Sequence, residues 1–461
     1  MLTVNSPFDG SLVGSVKKIT QEEANIALAK AYELSKDKSQ ALPHYERIAI
    51  LEKLADLVSQ EAAEFAMLIA KEGGKPLVDA KIEVARAIDG IHLAIKEIMH
   101  TFKGKEIPMG FTKSSENRMA FTTREPIGVV LAISAFNHPL NLIVHQVVPA
   151  IAVGCPVIVK PASSTALTCE KFVNLVHKAG LSKDWCVFAP CDISVAEFLV
   201  ADKRISFFSF IGSSKVGWYL RNKLNAGTRY ALEHGGVAPI IVDKNIEDMD
   251  AVVASIVKGA YYHAGQVCIS SKRVYIHKDI IAAMSKKLTE AVLKLKVGDP
   301  TEESTDVGPL ISEKEATRVE SWVNEAIAEG AKVLCGGKRI SATVFEPTLF
   351  LEPSKTSKVS TEETFGPVLC LYAYENLDEA IAWANSLDLP FQSAIFSNNI
   401  NIITKAYRGL DAAAVIVNDH TAFRVDWMPF AGRRSAGVGI GGIGYAMHEM
   451  TNHKMIVLKS N

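Results

Sequence analysis

A cysteine at the point where a helical pattern gives way to a strand can serve as a nucleophile, and Cys268 lies at such a point. It sits within Tyr261-Tyr262-His263-Ala264-Gly265-Gln266-Val267-Cys268-Ile269-Ser270-Ser271-Lys272-Arg273-Val274, where an apolar helical pattern breaks at Gly265 and a β-rich run, Val274-Tyr275-Ile276, follows the cysteine. Junctions allow irregular backbone and a side chain that faces a cleft. As a thiolate the residue would attack an electrophilic carbon; as a thiol it could equally be a small buried hydrophobe, and the stretch alone leaves both readings open. A second stretch with chemical potential is Gly212-Ser213-Ser214, which closes an apolar run and opens a helical one. Backbone N–H groups and the dipole at such a helix start can hold a pyrophosphate, although one glycine is fewer than the three of a dinucleotide fingerprint.

The surrounding chain supplies elements able to position these residues. Apolar spacings of three and four predict helices over Glu22–Lys36, Tyr45–Lys71 and Leu77–Met99, with breaks at Pro43 and Gly73-Gly74-Lys75-Pro76. From Met109 to Thr123 the pattern is polar and alternating, as in an exposed hairpin. Short apolar runs then follow at Ile127–Ser134, Pro156–Pro161, Trp185–Ala189 and Ile205–Ile211, each succeeded by a helical segment. Strands alternating with helices at this spacing predict a parallel sheet covered on both faces, with ligands beyond the carboxyl ends of the strands. A second α/β series begins after Gly235-Gly236, with strands at Ala238–Asp243, Arg273–His277 and Val368–Tyr374 and helices at Ile280–Leu295 and Glu313–Glu329, and extends to about Val417. The tail, Met455–Lys459, reads as a short strand without a local partner, able to pair elsewhere or across a subunit boundary.

At 461 residues the chain is long enough for two or three domains. A net charge of −1 with 22% charged residues gives no polyelectrolyte character that would favour nucleic acid or a membrane surface. Apolar stretches such as Leu142–Val153 are too short to span a bilayer, and the first residues carry no charged-then-apolar leader pattern, so a cytoplasmic protein is expected. Seven scattered cysteines without a CxxC pair argue against a disulfide framework or a metal ribbon, and fit a reducing compartment.

FNHPLN (Phe136–Asn141), VIVKPAS (Val157–Ser163), FIGSSKVG (Phe210–Gly217), LEHGG (Leu232–Gly236), GQVC (Gly265–Cys268), EETFGP (Glu362–Pro367) and MPFAG (Met428–Gly432) occur in this order. Together they closely resemble the aldehyde dehydrogenase superfamily across essentially the whole chain. The resemblance implies an α/β aldehyde dehydrogenase-like fold: a Rossmann-like cofactor domain over 1–108 and 128–232, a catalytic domain over 233–418 with 419–443 lining the active site, and an oligomerisation arm from 109–127 and 444–461. It also implies a homodimer or homotetramer. Cys268 is then the nucleophile, Asn137 with the Cys268 backbone N–H the oxyanion donors, and Glu233 the general base for hydrolysis of a thioester. The base is followed by His234 where the family usually has leucine. The cofactor is NAD or NADP: Gly212, Ser213 and Val216 belong to its phosphate loop, Lys160 resembles the lysine to the adenosine ribose, and Glu363 the carboxylate to the nicotinamide ribose. Phe365 packs near the nicotinamide, and Ala135 and Phe136 wall the cleft. Ser163 stands where NAD-preferring members often carry a glutamate, so a 2′-phosphate meets no repulsion there.

The substrate must be read outside this shared machinery. His138, Arg86 and Arg424 are the polar candidates, and Phe423–Met450 resembles the branch that oxidises phosphonoacetaldehyde, with lactaldehyde-type members nearby. Arginine forks bind phosphonate, sulfonate or carboxylate groups. Where that branch resembles an arginine before the nucleophile this chain has Val267, which favours a singly charged or hydroxylated head over a dianion. The competing structural reading pairs Arg86 with Glu83 or Asp89 and Arg424 with Asp426; Arg433 and Arg434 read as surface or cofactor-cleft charges. A CoA-acylating enzyme and a catalytically silent structural relative are the other classes, and Glu233, with Cys268 and Asn137, argues against both.

Overall fold

The computed structural model describes residues 1–460 and resolves the two α/β series into two separate sheets. The first has strands in the order Gly437–Val438, Arg229–Glu233, Ile205–Ile211, Val129–Ile133, Val157–Lys160 and Cys186–Phe188. Neighbours are parallel except Gly437–Val438, which pairs antiparallel with Arg229–Glu233. Val129–Ile133 is buried at every residue, as a β-branched run covered on both faces must be. Its alternate side chains divide between two cores. Val130 and Ala132 join the helices His44–Gln60, Ala62–Gly73, Leu77–Phe102, Asn141–Val153 and Ala166–Ala179, while Val129, Leu131 and Ile133 join Gln21–Lys36 and Ile193–Ala201.

The second sheet runs Lys332–Cys335, Thr348–Leu351, Val368–Tyr374, Ser271–His277, Ala238–Val242, Gln392–Phe396 and Ala414–Val417, parallel apart from the first pair. The helices Met249–Tyr261, Ile281–Val292 and Glu313–Ala328 pack on it. A third, antiparallel sheet joins Thr451–Lys459, Arg118–Pro126 and Glu106–Ile107. No helix of the described residues is long and apolar enough to cross a membrane.

Three sequence expectations change. The single helical run Tyr45–Lys71 is two helices, because Glu61 (φ −102°, ψ 17°) leaves the helical basin; both halves face the same core, so the apolar periodicity carries across the break. The tail strand is longer than expected, and of the two pairings left open it makes the one elsewhere in its own chain, in register from Thr451 opposite Pro126 to Lys459 opposite Arg118. The helix Ile443–Glu449 packs Ile443 and Met447 into the first core, so the extended arm begins only at Thr451.

These sheets meet end to end. Segments leaving the carboxyl ends of the first sheet, at Ser134–Asn137, Gly212–Val216 and Glu233, face segments entering the second sheet at Gly235, Val267–Ile269, Glu362–Phe365 and Leu389. The space between them is a cleft of about 920 Å³.

Candidate active site

The nucleophile loop owes its shape to an abrupt end of the helix Met249–Tyr261. Three successive residues, His263 (φ 48°), Ala264 (φ 54°) and Gly265 (φ 66°), take left-handed backbone. For the two non-glycine residues this costs about 1–3 kcal/mol each and persists only where the surroundings over-determine it. Here they do. His263 is buried, Gln266 donates through Nε2 to the carbonyls of His263 and Pro309 and accepts from Ile311 N–H, and Lys272 Nζ donates to the carbonyls of Gly265 (3.0 Å) and Gly366 (2.8 Å). A Cβ on Gly265 would sit 2.3 Å from the Gly366 oxygen, so that position must be glycine. The loop thereby delivers Cys268 to the cleft, and among the described cysteines it alone lines it. Burial raises the thiol well above its ordinary pKa, the charge of Glu233 raises it further, and Arg424 opposes both.

Asn137 is buried just beyond the strand Val129–Ile133 and donates from Nδ2 to the Gln266 carbonyl at 3.0 Å, which fixes its carboxamide beside the nucleophile loop and leaves its second N–H. Glu233 ends the strand Arg229–Glu233, where its carbonyl accepts from Gly212 N–H (3.0 Å) and Gly437 pairs opposite it. Its side-chain Oε1 is buried without a hydrogen-bond partner among the described residues, and Arg424 Nη1 stands 3.8 Å away. Burial lifts its pKa, against the pull of Arg424. Two proton-carrying groups, a thiol and a carboxyl, are thus both displaced toward their neutral forms within one cleft.

The expected cofactor residues fall into two groups. Gly212, Ser213, Val216, Glu363, Phe365 and Phe136 all line the cleft. Ser213 precedes the helix Ser214–Arg221, and Phe365, at φ 44°, sets its ring edge-on to Phe136 with centroids 5.8 Å apart. Glu363 is the residue best prepared to accept a hydrogen bond from a ligand. Its Oε1 is buried and unpaired among the described residues, and burial pushes its pKa to about 7, against Lys272 and Arg318. Gly235 makes room for it, since a Cβ there would lie 1.5 Å from Oε1. A sugar hydroxyl donating to this carboxylate fits the site. Lys160 and Ser163 stand outside the cleft lining, although Ala162 between them is part of it; Lys160 Nζ donates to Pro161 O at 3.3 Å and Ser163 is exposed.

His138, Arg86 and Arg424 line the opposite part of the cleft, but in arrangements the sequence did not disclose. His138 Nε2 meets Tyr262 Oη at 3.1 Å, and burial holds the ring neutral. Arg86 forms a fork with Asp426, Nε to Oδ2 at 3.1 Å and Nη2 to Oδ1 at 2.7 Å, so neither Glu83 nor Asp89 is its partner. Glu83 is taken by Lys75 and by the backbone N–H groups of Leu140 and Asn141. Arg424 does not pair with Asp426. It lies over the Phe430 ring with its guanidinium carbon 3.6 Å from the centroid, and Nη2 reaches His145 Nδ1 at 3.3 Å. Arg433 and Arg434 pair with Asp411 and Asp388 away from the cleft. Residues that sequence reasoning missed are Lys272, Gln266 and His145, of which only Gln266, inside GQVC, carried a local signal; Asp426 was considered as a partner for Arg424 and instead holds Arg86.

Comparison with known proteins matches residues 1–456 to the aldehyde dehydrogenase family. The chain is 39% identical over 441 residues to a 3-sulfolactaldehyde dehydrogenase of Priestia aryabhattai, covering 95% of this chain and 91% of that one. Among solved structures it is similar to aldehyde dehydrogenase 21 from Physcomitrella patens in complex with the reaction product succinate (TM-score 0.96, 34% identity, 99% and 95% of the two chains). It is also similar to a glyceraldehyde-3-phosphate dehydrogenase from Methanocaldococcus jannaschii complexed with NADP (TM-score 0.94, 34% identity, 100% and 99%). With a cysteine, a carboxylate and a carboxamide meeting where the two sheets abut, and with that match along nearly its full length, this chain belongs to the aldehyde dehydrogenase family.

Proposed function

We propose that the protein oxidises a small aldehyde with a singly charged anionic or hydroxylated head group to the carboxylic acid, using NAD or NADP, through a covalent adduct on Cys268. The observation that carries this reading is the convergence of Cys268, Asn137 and Glu233 on a cleft that also presents Glu363, both carboxyl groups having a buried oxygen without a hydrogen-bond partner among the described residues. Cys268 gives up its proton to solvent and, as the thiolate, bonds through Sγ to the aldehyde carbon. The aldehyde oxygen becomes an oxyanion, stabilised by the remaining Asn137 N–H and the Cys268 backbone N–H. The nicotinamide cofactor, when bound, supplies the acceptor for the hydrogen and electron pair that leave this carbon. What stays on Cys268 is a thioester. Glu233, whose raised pKa suits it to accept, takes a proton from the attacking water, and the thiolate leaves as the acid forms.

Glu363 would hold the nicotinamide ribose, Phe365 and Phe136 would flank the ring, Gly212, Ser213 and Val216 would form the pyrophosphate turn, and Lys160 would reach the adenosine ribose. Ser163 leaves room for the 2′-phosphate of NADP.

Of the two arginines beside His138, Arg424 is the less neutralised: Asp426 holds the Arg86 fork at 2.7 and 3.1 Å, while Glu233 stands 3.8 Å from Arg424. One available guanidinium matches one negative charge. The relatives named above act on a sulfonated and hydroxylated aldehyde, release a dicarboxylate, or take a phosphorylated aldehyde, which supports an anionic head here. The Thr451–Lys459 edge exposes Met455, Ile456, Val457 and Leu458, a surface suited to a second copy of the chain in a dimer or tetramer. The free thiols suit a reducing, cytoplasmic setting. The test is production of reduced nicotinamide from sulfoacetaldehyde, lactaldehyde and propanal, with and without CoA. Preference for the charged aldehyde and indifference to CoA are expected; a requirement for CoA would replace hydrolysis by acyl transfer to a thiol.

A further inference from the structure

Behind the wall of the cleft, Asp426 gathers four donors from two helices. Besides both arms of the Arg86 fork, Oδ1 accepts from Asn141 Nδ2 at 3.2 Å and from His145 Nε2 at 2.7 Å. Burial alone would push this carboxyl up, but His145 and Arg86 pull it well below the ordinary range, so it is ionised and can only accept. His145 Nε2 therefore carries a proton. Burial and the nearby Arg424 charge hold His145 at about 4, so at neutral pH its Nδ1 is a bare lone pair, and that atom lies 3.3 Å from Arg424 Nη2. The ring is buried in the helix Asn141–Val153 and does not line the cleft. Arg424 and Asp426 share one loop, two residues apart, and among the described residues the one carboxylate within 4 Å of Arg424 is Glu233, at 3.8 Å.

We infer that His145 is a positioning residue for substrate selection: its neutral ring, oriented by Asp426, holds the Arg424 guanidinium short of a hydrogen-bonded pair with Glu233 and open to an incoming anionic head group. This rests on the proposal that Arg424 receives that head group. A neutral imidazole is suited to the task because it offers one donor to a carboxylate and one acceptor to a guanidinium. A second cation at this place would repel Arg424, and an apolar side chain would release it to close the remaining 3.8 Å to the Glu233 oxygen, where a hydrogen-bonded ion pair would withdraw it from substrate. Glutamine reproduces the pattern, with its amide N–H₂ toward Asp426 and its carbonyl toward Arg424.

The experiment compares His145→Phe, His145→Gln and Arg424→Met with the full-length wild-type protein, each saturated with cofactor, on sulfoacetaldehyde and propanal. His145→Phe is expected to raise KM for sulfoacetaldehyde about tenfold, the loss of one charge-assisted hydrogen bond, with KM for propanal unchanged. His145→Gln is expected to recover most of that loss. Equal KM changes on both aldehydes in His145→Phe, no change on either, or a glutamine variant no better than phenylalanine, would overturn the inference. Arg424→Met separates the two levels: if it fails to discriminate between the aldehydes, the anionic-head reading itself fails; if it discriminates and His145→Phe does not, only the role of His145 fails. Should the phenylalanine variant not fold, wild-type protein labelled with ¹⁵N-histidine still decides. A His145 ring protonated on Nε2 alone at neutral pH is expected, and an Nδ1–H tautomer or an imidazolium would overturn the assignment.

Discussion

The two ends of the cleft are built by different means. At the nucleophile and cofactor end, position is set by backbone over short stretches. The left-handed run His263–Gly265 turns the chain just before Cys268, Gly235 clears the space for Glu363, and Gly212 opens the helix that Ser213 precedes. At the head-group end, position is set by side chains far apart in the chain, with Arg86 and Asp426 separated by 340 residues and His145 and Asp426 by 281. Chemistry common to a family can be carried by fixed local turns, whereas selection of a head group is adjusted by exchanging polar side chains across packed elements. Substitutions in the first region should therefore damage every substrate alike, and some in the second should discriminate.

The largest effect is expected from Cys268→Ala: loss of measurable aldehyde oxidation with cofactor binding retained, checked by steady-state assay and by nicotinamide fluorescence titration. Residual turnover near the wild-type level would remove the covalent step.

Gly235→Ala comes next. Its Cβ cannot coexist with Glu363 Oε1 at 1.5 Å, so the carboxylate must swing away from the cleft. Cofactor Kd is expected to rise at least tenfold, on the order of one charge-assisted hydrogen bond or more, for both NAD and NADP. An unchanged Kd would mean that Glu363 does not contact the cofactor.

Within the head-group region the two arginines should part company. Arg424→Met is expected to raise KM for a sulfonated aldehyde about ten- to a hundredfold while sparing a neutral one. It should also move the acid limb of kcat to higher pH: Arg424 opposes the upward shift of Glu233, and a base whose pKa rises further is lost at a higher pH as acidity increases. Arg86→Leu leaves Asp426 without its fork and is expected to destabilise the fold by about 3 kcal/mol, injuring both substrates together. A thermal melt beside the two KM values checks this, and an Arg86→Leu protein of normal stability with selective loss of anionic substrate would return Arg86 to substrate binding.

Much of this division was legible in the sequence. Both α/β series, the turn at Gly212 and the junction at Cys268 followed from periodicity and from breaker residues, because these features are local. The helix break at Glu61 was hidden by an apolar pattern that both halves share, and the pairing of Thr451–Lys459 with Arg118–Pro126 is a long-range register no window contains. Arg86 and Arg424 stood out as charges, yet their partners did not, because Asp426 next to Trp427 and His145 within an apolar helix have no local signature. The competing structural reading accordingly paired each arginine with a carboxylate near it along the chain, and folding gives both of them other neighbours.

The smallest expected effect is at the rim, where Ser163 is exposed and outside the cleft lining. Ser163→Glu is expected to weaken NADP several-fold and NAD hardly at all, the scale of a solvent-screened repulsion of about 1 kcal/mol. Equal effects on both would place Ser163 away from the 2′-phosphate.

The covalent chemistry at the shared end is tested most directly in the Glu233→Gln protein, which keeps Cys268 and Asn137 but has no base for water. Mixed rapidly with propanal and oxidised cofactor, then quenched in acid, it should release about one reduced nicotinamide per active site and carry a propionyl group on Cys268, found by peptide mass spectrometry. A full burst with no acyl group on any cysteine, or an acyl group on a cysteine other than Cys268, would contradict the mechanism.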